Sequence, residues 1–216
     1  MSKRRRKLKI GRIVTLLLII SLLVGICVYG ASRVTKKSPS VKKVKAISSI
    51  KKYDYTLKEN ATAYYKKLYK ELEKVLDEKE ISYDKYLELI SKMFVADFFN
   101  LDNKVSKNDV GGVEFVYKDY QLDFKRYAMD SIYKSVENNV YGARKQELPI
   151  VSEVEVQKVK DDKYKLGETT FDEAYVVNFT VKYKKDLEYQ DSGSLTVIKN
   201  DKKLEIVSMS KEKSSN

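Results

Sequence analysis

Chemistry in this chain has to be built without histidine, because none occurs among its 216 residues. That removes the commonest metal ligand, the side chain whose ordinary pKa lies nearest neutrality, and the usual base of a nucleophilic triad. The single cysteine, Cys27, lies inside the apolar run IVTLLLIISLLVGICVYGAS, so the rest of the chain has neither a thiol nucleophile nor a disulfide. What remains are carboxylates, tyrosines and lysines. Asp102, Asp109 and Glu114 fall close together and offer the oxygen donors that calcium prefers, but not at the spacing of a calcium loop. Gly111-Gly112 precedes VEFVY rather than a helix and lacks the Lys and Ser/Thr of a phosphate cradle, so it reads as turn chemistry. Asn60-Ala61-Thr62 and Asn178-Phe179-Thr180 match the glycosylation sequon, the second within an expected strand. Nothing in these patterns calls for a cofactor or a metal.

The formal charge of +12 suggests nucleic acid until its distribution is followed. Thirteen of the 43 basic residues lie in residues 1–45, where there is no acid, leaving 30 basic against 31 acidic residues in the remainder. A near-neutral domain is a poor partner for a phosphate backbone, whose affinity comes from cation neutralisation. No nucleic acid is expected. The 17 tyrosines and the absence of tryptophan are a compositional bias with no functional reading of their own.

Ile13 to Ser32 holds no charge over 20 residues, which at about 1.5 Å per residue spans roughly 30 Å, the thickness of bilayer hydrocarbon. The sequence therefore predicts a basic tail (1–12), a transmembrane helix (13–32) and a basic tether (33–52), followed by a domain (53–210) and a polar tail (211–216). The run exceeds the core of a cleaved signal peptide, which favours retention. Arg4, Arg5, Arg6, Arg12, Arg33, Lys36 and Lys37 flank it and are the expected headgroup contacts. The excess of Lys and Arg before the run places the N-terminus in the cytoplasm and the domain outside a single-pass cell-membrane protein.

Beyond the tether, Leu57, Ala61, Tyr65, Leu68, Leu72, Val75 and Leu76 recur at helical spacing, predicting an amphipathic helix over 57–79. Ser82 offers an N-cap for a second helix with an aromatic stripe of Tyr83, Leu87, Ile90, Phe94 and Phe98. A polar loop leads to a short strand at 113–117 and a third helix over 120–138. After Pro149 the period switches to two: Val154 and Val156 alternate with polar residues, then Tyr175, Val177, Phe179, Val181 and Tyr183 mark one dry face. Asp191-Ser192-Gly193 and Asn200-Asp201 read as turns into SLTVIK and LEIVSM. The class is α+β, with three helices packed on a curved antiparallel sheet.

The order of two helices, a short strand beginning at Gly111, a third helix and strands ending in SLTVIKNDKKLEIVSM resembles the nuclear transport factor 2-like superfamily, whose curved sheet wraps helices into a cone. With an N-terminal anchor the chain is similar to scaffold subunits of type IV secretion and conjugation machines. The resemblance implies either of two roles. One is a non-enzymatic scaffold whose partners are the bilayer and other membrane or envelope proteins, or a second copy. The other is a small-molecule or enzymatic pocket inside the cone, lined by Phe94, Asp97, Phe98, Phe115, Phe124, Tyr175 and Phe179. In that second case the resemblance implies Asp97 as base and Tyr175 as donor. Aromatic rows at helical spacing are ordinarily core, and a lone Asp on a polar face is ordinarily solvated, so the scaffold is the expected role.

Overall fold

The computed structural model describes residues 44–211. Helix α1 (Ala63–Asp77) turns Tyr65, Leu68, Tyr69, Leu72, Val75 and Leu76 inward and leaves its lysines and glutamates in water. Its first turn is closed by Thr62, whose hydroxyl accepts the Tyr65 N–H at 3.1 Å. The helix begins six residues later than the periodicity predicts, because Leu57 belongs to a strand. That strand, β2 (Tyr55–Lys58), pairs antiparallel with β1 (Ala46–Ile50), so part of the stretch read as a tether is a hairpin packed on the domain.

Helix α2 (Tyr83–Phe98) starts where Ser82 predicts and is central rather than amphipathic. Tyr86, Leu89, Ile90, Met93, Phe94 and Val95 are all at most 1% exposed, so it is enclosed on most of its circumference. Burying each such side chain is worth roughly 1.5–3 kcal/mol, which makes α2 the element on which the others are assembled. Helix α3 (Gln121–Asp130) is shorter than predicted. After Asp130 the chain turns so that Tyr133 can enter the core, where its hydroxyl donates to the Phe98 carbonyl at 2.6 Å and accepts the Gly111 N–H at 3.0 Å.

The sheet is the meander β3 (Val151–Leu166), β4 (Thr169–Tyr183), β5 (Ser192–Asn200) and β6 (Lys203–Ser210), in that order and antiparallel throughout. Val177, Phe179 and Val181 face the helices, as the alternation predicts. Gly193 lies within β5 opposite Phe179 rather than in a turn. An added Cβ there would come within 2.6 Å of the Phe179 ring.

Two expectations are corrected. The fold is α+β with three helices, but it has two antiparallel sheets rather than one. Among the described residues no helix is long and apolar enough to cross a membrane, since the helices carry Lys or Glu every few positions or are short. The run 13–32 and the flanking Arg4, Arg5, Arg6, Arg12, Arg33, Lys36 and Lys37 lie outside the described residues. The short strand at 113–117 is a 3-10 turn, Val113–Phe115, joined to the sheet by a single parallel bridge between Val116 and Ile206. Gly112 at φ +75° starts that turn, which sends Phe115 into the core against Tyr55 and Glu114 toward Thr56 and Tyr65.

Buried phenols tie these layers together. Tyr55 and Tyr86 share a hydroxyl–hydroxyl bond of 2.7 Å, and both reach the edge strand β6 at Leu204, whose N–H donates to Tyr86 and whose carbonyl accepts from Tyr55. On the opposite edge, Tyr64 accepts the Val154 N–H at 3.0 Å and donates to the Val154 carbonyl at 3.3 Å.

Candidate functional site

Where α2 ends, the loop after it folds back along the helix and is fastened from outside. Arg144 donates to the Lys104 carbonyl at 2.9 Å and the Asn139 N–H to that of Val105 at 2.7 Å. The loop can approach closely only because it ends in two glycines. A Cβ on Gly111 would lie 2.2 Å from the Asp97 carbonyl oxygen, and one on Gly112 would lie 2.8 Å from the Phe94 ring. The pair read from sequence as a turn is therefore a packing requirement as well.

This fold-back borders a half-open cavity of about 270 Å³ between α1, β2 and the 3-10 turn. Its ionisable side chains are Lys58, Tyr65, Asp97, Lys104, Asp109 and Glu114. Lys104, with only 3% of its side chain exposed, forms an ion pair with the Asp97 carboxylate, whose other oxygen accepts the Gly112 N–H at 2.7 Å. Burial alone would push Asp97 upward, but the Lys104 charge, its hydrogen bond and the Gly112 N–H together hold it below the usual aspartate value. Lys58 pairs with Asp109 at 3.6 Å.

Glu114 is different. Its carboxylate accepts the Thr56 N–H at 3.0 Å and the Tyr65 hydroxyl at 3.2 Å, and among the described residues no lysine or arginine forms an ion pair with it. Burial, reinforced by the nearby Asp97 charge, raises it to about 7 against the lowering effect of those hydrogen bonds. Two carboxylates of one cavity are thus driven in opposite directions: Asp97 is a fixed anion, and Glu114 exchanges its proton near neutral pH.

On the other side of the Gly112–Phe94 contact lies an apolar groove of about 290 Å³ between α3 and β6. Phe94, Phe124, Tyr120 and Tyr127 line it together with Ile206, Val207, Ser208 and Met209. Val207 is an extra residue of β6 opposite the Thr196–Val197 step, a bulge that breaks the alternation where the groove meets the strand. The outer edge of β6 is occupied at Leu204 by the tyrosines and at Ile206, whose carbonyl accepts the Tyr117 N–H at 2.9 Å. Among the described residues nothing pairs with it from Val207 onward.

The seven residues expected to line one pocket are dispersed. Asp97 lines the polar cavity, Phe94 and Phe124 line the groove, and Phe98, Phe115 and Phe179 are in the core. Tyr175 lies on β4 under the Lys158 ammonium, with its hydroxyl on Glu173, and lines neither concavity. The suggested Asp97–Tyr175 pair is not assembled. Nor are Asp102, Asp109 and Glu114 a calcium site: Asp109 is used within its own loop, accepting the Val105 N–H at 3.1 Å, and no metal-sized group of carboxylates occurs among the described residues.

Comparison of the chain with protein-family models, curated proteins and solved structures finds no match. Its role has to be read from these two concavities. Lys104, Tyr65 and Gly112 escape a reading of sequence because the contacts that define them join segments without a shared period. Glu114 stood out there only as a calcium candidate.

Proposed function

We propose that the chain is a membrane-tethered interaction protein whose α+β domain captures an extended segment of a protein partner along the free end of β6. The carrying observation is the groove beside Val207–Met209, where unpaired strand edge and aromatic wall coincide. An incoming strand would gain main-chain hydrogen bonds from the edge and lodge an apolar side chain between Phe94, Phe124 and Tyr127. Tyr127, 73% exposed, carries the aromatic wall of the groove out to solvent. Attachment to the bilayer rests on the uncharged run 13–32 and its basic flanks, and location outside the membrane on their charge asymmetry. A scaffold role akin to secretion-machine subunits agrees with this reading, and the separation of Asp97 from Tyr175 favours it over catalysis of the cone type.

The test is site-specific photo-crosslinking in native membranes from positions 127 and 208, with position 163 on the far hairpin as control. The expected result is a crosslink from 127 and 208 to an extended stretch of one partner protein, that from 208 being abolished by Tyr127→Asp. Crosslinks to lipid alone, or equal yields from all three positions, would overturn it. Protease accessibility of the domain in intact against lysed cells checks its side of the membrane separately.

A further inference from the structure

The polar cavity is not used by the peptide-capture reading and has an unbalanced set of charges. Three carboxylates (Asp97, Asp109 and Glu114) face two ammonium groups (Lys58 and Lys104). Lys104 is committed to Asp97, while Lys58, half-exposed, has Asp109 as its nearest carboxylate at 3.6 Å. Glu114 is left with neutral donors only, the Thr56 N–H and the Tyr65 hydroxyl. Each of its oxygens thus retains acceptor capacity, and a partly desolvated carboxylate gains most from a cation. Ala61, Val110 and Val113 supply apolar wall beside it.

We propose that this cavity binds a small organic cation, an alkyl amine whose ammonium group rests on the Glu114 carboxylate and whose carbon stem lies along Ala61, Val110 and Val113. The volume of about 270 Å³ lies just below that of pockets for drug-sized ligands and suits a short aliphatic amine. An anion would meet three carboxylates against two ammonium groups, and a neutral alcohol would forgo the charge.

The other groups around Glu114 do not replace the missing cation. Lys203 of β6 turns its ammonium to the Glu114 backbone carbonyl at 3.3 Å and lies 3.8 Å from Glu205. Asp97 adds negative charge, and Lys58 offsets it only in part. Because the carboxyl group titrates at about 7, the site is fully charged only above neutrality. No histidine is present to blur that transition.

The experiment uses the full chain in detergent micelles, titrated with butylammonium, butanol and butyrate while the amide resonances of Thr56, Gly112 and Glu114 are followed. Butylammonium is expected to shift them saturably with a millimolar or tighter constant, with butanol and butyrate at least about tenfold weaker. Glu114→Gln, which keeps shape and loses charge, is expected to weaken butylammonium about tenfold while leaving the remaining spectrum in place. Should that variant misfold, the unmodified chain decides the matter, since its affinity for butylammonium must fall as the pH is lowered from about 8 to about 6. Butyrate or butanol binding as well as the amine, a pH-independent affinity, or no saturable shift would each overturn the proposal.

Discussion

The polar cavity and the apolar groove have nearly the same volume, about 270 and 290 Å³, and are separated by one contact, Gly112 against the Phe94 ring. Their construction differs. The groove is a space between regular elements, α3 and β6, and its walls are ring faces and strand edge. The cavity is made by a loop that folds back on a helix end, and its walls are charges that must be matched one by one. A concavity of the first kind tolerates substitution because any apolar group of similar size fills the same role. One of the second kind fails when a single partner is removed, because the survivor stays desolvated.

The shared wall is where both can be broken at once. Gly111→Ala sets a methyl group against the Asp97 backbone, and about 3 kcal/mol or more of destabilisation is expected by chemical denaturation. Gly112→Ala, at φ +75° and against the Phe94 ring, is expected to cost about 2 kcal/mol and to disturb groove and cavity together. Of comparable size is Lys104→Met, which strands the Asp97 carboxylate. With 21% of the Asp97 side chain still open to water, a loss of about 2–3 kcal/mol is expected, much of it restored in the double variant with Asp97→Asn.

The two carboxylates can also be separated by pH. Asp97, held below its ordinary value, stabilises the fold above the unfolded carboxylate range, and that contribution is lost as the pH falls through its folded value. Glu114, raised to about 7, has the opposite sign: the folded chain binds its proton more tightly, so its contribution is present below the ordinary glutamate value of 4.5 and is lost as the pH rises through 7. Between about pH 5 and 8 the stability should therefore decline by some 1–2 kcal/mol, after allowance for partial exposure, and Glu114→Gln should flatten the slope. The smallest effect on stability belongs to the groove. Tyr127→Ser removes a ring that is 73% exposed and should change the midpoint of unfolding by less than about 0.5 kcal/mol, while still losing the crosslinked partner.

The groove side of the molecule was the more legible in sequence for the same reason that it is the more tolerant. Phe94 and Phe124 stand at helical spacing, and the alternation of β4 and the hairpin of β5 and β6 is plain from the pattern of Val177, Phe179 and Val181 and from Asn200-Asp201. Periodicity reports which face of an element is dry, so it located the helices and the meander. It does not report what an end or a loop does. Leu57 was counted into a helix because its spacing suited both a helix and a strand, and pairing with β1 decided the matter. VEFVY alternates like a strand, yet Gly112 and the burial of Phe115 make it a turn that delivers Glu114. The helix expected to run to 138 stops at Asp130 because Tyr133 has hydrogen-bond partners deep in the core, 35 and 22 positions away. Of the tyrosines, which composition left without a role, several are the cross-braces of the fold.

One such brace bears on how large an assembly the proposed capture could nucleate. Tyr64 grips both polar groups of the Val154 peptide, and farther along β3 the bulges near Lys158–Lys160 and Asp162–Tyr164, with their alternating charges, spoil the margin for a neighbour. Polymerisation head to tail demands two sticky margins, and the one along β3 is interrupted at Val154 and at its bulges. On the proposed reading, a guest strand at β6 would complete the complex instead of seeding a fibre.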